Sequence, residues 1–266
     1  MNARRTAALI LAAAALMALN AGAYAENAPD IAAGGAALIE QHTSAVICAK
    51  EAHKKLPMAS TTKIMTALIV IENCSLGDTV KVSPKAYGVE GSSMYLNAGE
   101  EVSVEDMLYG LMLLSGNDAA VALAIHTAGS VEAFAALMNA RAAALGCTNT
   151  NFTSTNGLVD MDEGNYSSAH DLALIAQECW KHEVFRTVVG TAAHQMPAAE
   201  SHNEPYNILS LNAMIKPSST VYRSYIKGVK TGSTHDAGRN FASAAVNDKG
   251  ETYIGVVLGA PWDAAE

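Results

Sequence analysis

The order of its segments most constrains how this chain folds, because strand-like segments stand at both ends and helix-like segments fill the middle. Two short strands joined by the turn EQHTS occupy residues 36–50, and three more follow at 225–234, 240–246 and 251–260. A parallel sheet needs strands and helices in alternation, which this order lacks. We therefore predict a mixed α/β domain, in which N- and C-terminal strands form one antiparallel sheet flanked by helices, with a helical subdomain.

The helical middle contains apolar periodic segments with recognisable ends. Ser103 followed by Asp106 forms a capping pattern, Gly146 closes one helix, and Ser167 or Ser168 caps another. The predicted helical segments span residues 60–73, 103–128 with an interruption at SGN, 130–146 and 167–182. The stretch before Ser103 is rich in glycine, serine and asparagine, and we predict that it is irregular.

The N-terminus has the pattern of a secretory signal, with Arg4 and Arg5 before an apolar stretch that ends in A-x-A at Ala25. A buried helix or a membrane anchor is the alternative, but the apolar run is short for a span and its small-residue ending favours cleavage. We expect an exported protein with three parts: a signal peptide over 1–25, a linker over 26–34 and a folded domain over 35–266.

Charge and residue counts exclude several function classes. The net charge is −9, or −11 once Arg4 and Arg5 are removed, and no basic run occurs, so we predict no nucleic-acid partner. The eight histidines show no metal-ligand spacing, so we predict no metal and no cofactor. The four cysteines also lack metal-binding spacing, and either disulfides or buried free thiols fit them.

The stretch ASTTKIMTALIVIEN places Ser60 three residues before Lys63 at the head of an apolar helix. At that spacing the two side chains share one helix face. A lysine whose pKa is lowered by burial or by another cation can take the proton of a serine and make it a nucleophile. A helix-capping serine followed by a surface lysine is the alternative interpretation, since S-x-x-K alone is a weak signal.

Two further motifs strengthen the catalytic interpretation. Ser115-Gly116-Asn117 interrupts a helix, and Lys230-Thr231-Gly232 lies on a predicted strand. Each alone is explained by a helix break, or by an edge-strand lysine and a bulge glycine. Together with S-x-x-K, in this order, they match the motif set of class A β-lactamases and penicillin-binding proteins.

Five longer stretches make the resemblance specific. The sequence resembles the serine D-alanyl-D-alanine carboxypeptidases, or low-molecular-mass penicillin-binding proteins, over most of residues 35–260. The stretches are LPMASTTKIMTALIVIEN, GSSMYLNAGEEVSVEDMLYGLMLLSGNDAAVALA, FAALMNARAAALGCTNTNFTSTNGL, YSSAHDLALIA and GVKTGSTHDAGRNFASAA. The resemblance implies a β-lactamase/transpeptidase-like catalytic domain over 35–266. Its implied substrate is a peptidoglycan stem peptide ending in D-Ala-D-Ala, and β-lactam antibiotics are its implied acylating inhibitors.

The resemblance also implies catalytic roles for particular residues. Ser60 is the nucleophile that attacks the carbonyl between the last two D-alanines, and Lys63 takes its proton. Lys230 is a second cation that helps to hold Lys63 neutral. Ser115 and Asn117 form the opposite wall of the cleft, where they shuttle a proton and bind the peptide amide.

The strand motif is implied to bind the substrate. Thr231 holds the terminal carboxylate, and Gly232 leaves room for a substrate along the strand edge. The backbone N–H groups of Ser60 and Ser233 form an oxyanion hole.

Two departures from the family pattern accompany these roles. Leu211 stands where some members carry a carboxylate-binding arginine, so we expect the carboxylate to rest on Thr231 and Lys230 alone or on a nearby arginine such as Arg239. Family members usually continue into a small β-rich domain and an amphipathic membrane helix, so we expect this sequence to be either a fragment or a shortened form, with membrane contact only through such an anchor. A β-lactamase is disfavoured by SGN in place of SDN and by the lack of an E-x-x-L-N stretch. A non-catalytic cell-wall binding protein is disfavoured by the intact serine and lysines.

Overall fold

The computed structural model describes residues 29–158, 164–198 and 203–262. The predicted signal peptide over 1–25 and the first part of the predicted linker lie outside these residues.

A five-stranded antiparallel sheet joins the two ends of the chain, which confirms the predicted fold class. Its strand order is β2-β1-β11-β10-β9, so β9 is an edge strand. In the central pair, Gly35 of β1 lies opposite Leu258 of β11. The strands are β1 Gly35–Glu40, β2 Val46–Lys50, β9 Ile226–Thr234, β10 Gly238–Val246 and β11 Thr252–Ala260.

Burial alternates from residue to residue along the strands, and this alternation shows which face of the sheet the helices cover. In β11, Ile254, Val256 and Leu258 are buried, while the residues between them are only partly buried. This period of two is that of a sheet with one face packed on the core. Helix α5, Ala169–Trp180, packs against β1 and β11 on that face.

The helical middle follows the predicted pattern closely. Ser103 accepts a hydrogen bond from the backbone N–H of Asp106, and Ser168 is the residue that caps α5. The residue Gly146 has a φ of +78°, just beyond the end of its helix. The other helices are α1 Lys63–Asn73, α2 Val104–Leu113, α3 Asn117–Ala128, α4 Val131–Ala144 and α6 Glu183–Gly190.

The helix predicted over 60–73 begins differently from the prediction. Residues Ala59–Thr62 form a 3₁₀ turn, and α1 itself starts at Lys63. Every residue of α1 from Lys63 to Val70 is buried, because α2, α3 and α5 pack around it. The turn before it is thus held at the edge of the core, next to β9.

Several short elements lack a clear sequence signal. The stretch predicted to be irregular starts and ends in paired strands, β4 and β5, and only its middle is irregular. Helix α6 and two further strand pairs were not predicted. The short strands are β3 Leu56–Pro57, β4 Thr79–Lys81, β5 Glu101–Ser103, β6 Tyr166–Ser167, β7 Ala193–Met196 and β8 Tyr206–Leu209.

The four cysteines are free thiols. Burial raises the pKa of Cys147 to about 12 and that of Cys179 well above its ordinary value. In the described residues no single helix has the length and apolar character to cross a membrane; α3 and α4 meet that test only together, as a pair bent by 83°.

Candidate active site

The three predicted motifs meet at one cleft of about 650 Å³. Ser60 lies in the 3₁₀ turn before α1, Ser115 in the break between α2 and α3, and the KTG motif on the edge strand β9. The residues Ser60, Ser115, Thr231, Gly232 and Ser233 all line this cleft. Packing α1 among the other helices, with the preceding 3₁₀ turn against β9, therefore brings together segments that are far apart in the sequence.

Lys63 lies directly beneath the predicted nucleophile and is completely buried. Its Nζ is 3.0 Å from the Oγ of Ser60, 2.7 Å from the Oδ1 of Asn117 and 2.9 Å from the backbone oxygen of Asn156. The alternative of a surface lysine beside a capping serine is wrong, because this ammonium group has no contact with solvent and Ser60 makes no side-chain cap bond to α1.

Burial and charge both lower the pKa of Lys63 well below its ordinary value. Burial contributes most, because it penalises the ammonium form, and the charge of Lys230 adds to it, while the carboxylate of Asp118 acts in the opposite direction. Burial also lowers the pKa of Lys230 to about 7. These effects favour the neutral amine of Lys63, which is the form that can accept a proton.

The partners of Lys63 fix the direction in which its lone pair points. Asn117 donates through Nδ2 to the backbone oxygen of Glu90 at 2.6 Å, so its Oδ1 is the atom that faces Lys63. A neutral amine has two N–H donors and one lone pair. The carbonyl oxygens of Asn117 and Asn156 can only accept, so they take both donors. The lone pair is left for the hydroxyl of Ser60, which is the geometry that a general base requires.

Ser115 faces the same cleft in a strained conformation. Its φ is +63°, unusual for a residue other than glycine, and it is buried. Its Oγ has no hydrogen-bond partner among the residues that the structure describes. Ala59, just before the nucleophile, also has a positive φ of +46°. Such strain is concentrated at functional sites, and an unpartnered buried hydroxyl here is available to a substrate.

The two lysines occupy different positions relative to the cleft. Lys230 is buried behind the cleft wall, and its Nζ donates to the backbone oxygen of Thr231 at 2.8 Å. Thr231 is half-buried and Ser233 exposed, and both line the cleft itself. Lys230 therefore acts on the site mainly through its charge, whereas Thr231 and Ser233 present their hydroxyl groups to a ligand.

Gly232 is required by the protein itself, apart from any room that it leaves for a substrate. A Cβ at this position would lie 2.8 Å from the backbone nitrogen of Thr61 and 3.0 Å from that of Ser60. Its nearest obstacle within the protein is thus the turn that carries the nucleophile. The absent side chain lets β9 approach the backbone N–H of Ser60 closely, so that an oxyanion hole can form between them.

We expect Gly232→Ala to slow acylation of Ser60 by about 10²-fold, because the added Cβ pushes the 3₁₀ turn away from β9 and an error of about 1 Å has that effect. The rate of labelling by a fluorescent penicillin measures it. Gly77→Ala is the matched control, because a Cβ there meets nothing within 4 Å, and it should label like the parent. Equal labelling rates for the two variants would contradict the close-approach argument.

Two contributors to the site were not assigned from the sequence. The backbone oxygen of Asn156 holds Lys63, and a backbone group leaves no trace in residue type. The carboxylate of Asp118, directly after the SGN motif, is the second. It lies in the first turn of α3, but it is also fully buried and accepts hydrogen bonds from Ser93 and from the backbone N–H groups of Met94 and Leu96. Asp118 therefore fixes the loop that carries one wall of the cleft.

Arginines do reach the cleft despite the leucine at position 211. Leu211 lines the cleft with half of its surface exposed, and both Arg223 and Arg239 line it as well. The guanidinium of Arg239 lies 5.6 Å from the centre of the Trp262 ring, a cation–π contact. The two guanidinium groups therefore give this part of the cleft a positive charge that can attract a carboxylate.

Comparison with known proteins finds a family model and relatives that share one description. A family model described as D-alanyl-D-alanine carboxypeptidase matches residues 22–262. The chain is 38% identical over 234 residues to the D-alanyl-D-alanine carboxypeptidase DacF of Bacillus subtilis, covering 86% of this chain and 57% of that protein. It is 36% identical over 276 residues to the D-alanyl-D-alanine carboxypeptidase of Streptomyces sp. strain K15, covering 97% and 92%.

Solved structures agree with these relatives. A mutant of the Streptomyces K15 DD-transpeptidase superposes with a TM-score of 0.79 at 34% identity, covering 88% of this chain and 93% of that one. A D-alanyl-D-alanine carboxypeptidase from Mycobacterium tuberculosis gives 0.81 at 27% identity, covering 89% and 87%.

The match differs in extent between relatives, since the chain spans 57% of the length of DacF but 92% of the Streptomyces protein. The resemblance stated from the motifs is confirmed by the family model, which covers nearly all of the described residues. The chain belongs to the D-alanyl-D-alanine carboxypeptidase family.

Proposed function

We propose that this chain is an exported serine carboxypeptidase that removes the terminal D-alanine from peptidoglycan stem pentapeptides through an acyl-enzyme at Ser60. β-Lactam antibiotics acylate the same serine. One observation carries the proposal: a completely buried lysine amine, whose pKa is lowered by burial and by a second cation, lies 3.0 Å from a serine hydroxyl that lines an open cleft. Family membership supplies the substrate class.

The first half of the reaction forms the ester. The Oγ of Ser60 attacks the carbonyl carbon between the two D-alanines, and its proton passes to the Nζ of Lys63. Negative charge develops on the carbonyl oxygen, where the backbone N–H groups of Ser60 and Ser233 stabilise it. The C–N bond then breaks, and the departing amine takes the proton from Lys63, with the free hydroxyl of Ser115 as the relay.

The second half returns the enzyme to its starting state. Water attacks the ester carbon while Lys63 takes one of its protons. The bond to the Oγ of Ser60 breaks, and that oxygen recovers the proton. The net reaction consumes one water and releases D-alanine and the shortened peptide, so no cofactor is required.

The terminal carboxylate of the substrate fits the end of the cleft where hydroxyl and guanidinium groups converge. The hydroxyl of Thr231 on β9 can donate a hydrogen bond to this carboxylate. Arg239 and Arg223 supply the positive charge that some family members obtain from an arginine at the position of Leu211. The charge of Lys230, just behind Thr231, adds to this field.

Mass spectrometry tests the proposal directly. The protein is incubated with a penicillin, and separately with diacetyl-Lys-D-Ala-D-Ala, and the expected results are a stable adduct on Ser60 and release of D-alanine. Ser60→Ala should give neither product while keeping the circular dichroism spectrum of the parent. Rapid turnover of the penicillin would favour a β-lactamase, and no adduct from folded protein would favour a non-catalytic binding protein.

Transfer to an amine is a second candidate, because solved structures of the Streptomyces K15 relative are titled DD-transpeptidase. The same ester at Ser60 can react with an amine in place of water. Adding glycylglycine to the peptide assay separates the two outcomes: a new transfer product at the expense of hydrolysis supports transfer, and unchanged hydrolysis opposes it.

Export is part of the proposal and is supported by the signal pattern over 1–25. Expression in a bacterial host followed by N-terminal sequencing of the extracytoplasmic protein should give Glu26 as the first residue. Retention of the uncleaved chain in the cytoplasm would contradict it.

A further inference from the structure

A second cluster of chemically active side chains lies apart from the cleft. It consists of His53, in the loop between β2 and β3, and His170 and Asp171, in the first turn of α5. One ligand atom from each of the three lies within 4.8 Å of the others. None of these residues lines the cleft described above, and the proposed catalytic mechanism uses none of them.

The strand pairing explains why residues so distant in the sequence meet. In the short antiparallel pair β3–β6, Leu56 lies opposite Ser167. His53 lies three residues before this pair, in the turn that leads into β3, and His170 lies three residues after it, in the helix that follows β6. The backbone N–H of His170 also donates to the oxygen of Ala52 at 2.9 Å, which ties the two segments together at this point.

The carboxylate of the cluster is already oriented by its neighbours. One oxygen of Asp171, Oδ2, accepts hydrogen bonds from the backbone N–H of Asn149 at 2.7 Å and from the Oγ1 of Thr150 at 3.0 Å. Its other oxygen, Oδ1, points to the Nδ1 of His170, 3.7 Å away. Metal-binding carboxylates are held by such outer hydrogen bonds.

We propose that His53, His170 and Asp171 form a binding site for one Zn²⁺ ion. Two imidazoles and a carboxylate are a ligand set that zinc prefers, and water completes the tetrahedron. Zinc ligands stand about 2.0–2.2 Å from the ion, so the ligand atoms need to approach one another by about 1 Å. The side chain of His53 can make that movement, because it is exposed and its ring is tilted against that of His170 at a centroid distance of 4.7 Å.

The histidine spacing in the sequence did not reveal this site, because its ligands come from two segments more than 100 residues apart. An ion here ties the loop before β3 to the start of α5. Strand β3 leads within a few residues into the turn that carries Ser60. We therefore assign the ion a stabilising role for this segment, independent of the catalytic proposal.

Calorimetric titration with ZnCl₂ tests the site, on protein prepared without a histidine tag and stripped with a chelator. We expect one ion per chain and a higher unfolding temperature with zinc than without it. His53→Ala and His170→Gln should each weaken binding by at least about tenfold, since even outer-shell changes have that effect. His53→Cys, which restores a zinc ligand at an exposed position, should recover binding.

His235→Ala is the matched control, because His235 pairs with Asp236 at 3.1 Å on the surface but has no third ligand beside it among the residues that the structure describes. It should bind zinc like the parent. The proposal is overturned if the parent shows no stoichiometric binding, if His53→Ala binds as tightly as the parent, or if His235→Ala loses as much affinity as the two ligand variants.

Discussion

Replacing Lys63 with methionine should slow acylation of Ser60 by a penicillin by about 10²- to 10⁴-fold, the range that general bases contribute. Methionine fills a similar volume but cannot take a proton, so the hydroxyl of Ser60 loses its base while the core stays packed. The acylation rate is measured by quenched-flow mixing followed by mass spectrometry. Release of D-alanine from diacetyl-Lys-D-Ala-D-Ala should fall to the same extent, because the same step is affected.

The matched control is Lys181→Met, since Lys181 is a solvent-exposed lysine that pairs with Glu178 on the surface. It should acylate like the parent. Parent-like acylation by a well-folded Lys63→Met protein would exclude Lys63 as the base.

The second large effect concerns stability. We expect the free energy of unfolding to rise between pH 7 and about pH 8.5. Both buried lysines have pKa values lowered in the folded state, Lys230 to about 7 and Lys63 well below its ordinary value. In the unfolded chain a lysine keeps its proton up to about pH 10.4. Throughout this window the unfolded state therefore binds more protons than the folded state, so stability increases with pH.

The expected gain from Lys230 is on the order of 2 kcal/mol over this window, and Lys63 acts in the same direction. Urea denaturation at a series of pH values measures it. Above pH 8.5 the buried thiols of Cys147 and Cys179 act in the opposite sense, because their pKa values are raised in the folded state and the unfolded thiols lose protons first.

Lys230→Met should remove about half of this slope, and Lys181→Met, at an exposed position, should leave it unchanged. A pH-independent stability between pH 7 and 8.5 in the parent would mean that neither buried lysine has a lowered pKa, and the account of Lys63 as a neutral base would fail with it.

The sequence predicted the features that depend on residue type and spacing. The order of strands and helices predicted the antiparallel sheet, and Ser103 and Ser168 marked helix starts because their side chains cap backbone N–H groups. The three motifs predicted the residues that now line one cleft or lie just beneath it. In each case the signal lies within a few residues of the chain.

What the sequence could not predict depends on contacts between distant backbone groups. The oxygen of Asn156 that orients Lys63 carries no information about its own residue type. The hydrogen bonds from the 93–96 loop to Asp118 arise only once α3 packs beneath that loop. The strands β3 and β6 have two residues each, too few to show a period. Their pairing, and with it the histidine cluster, became visible only in three dimensions.

The pairing of the first strand with the last has a consequence for how and when the chain folds. Ala36 of β1 faces Val257 of β11, about 220 residues later, so the centre of the sheet cannot form until nearly all of the chain is available. Helix α5 packs on these two strands, so its packing cannot be completed before they pair. Pairings between such distant segments make folding slow. This slow step would lengthen the time for which a chain exported as proposed above stays unfolded.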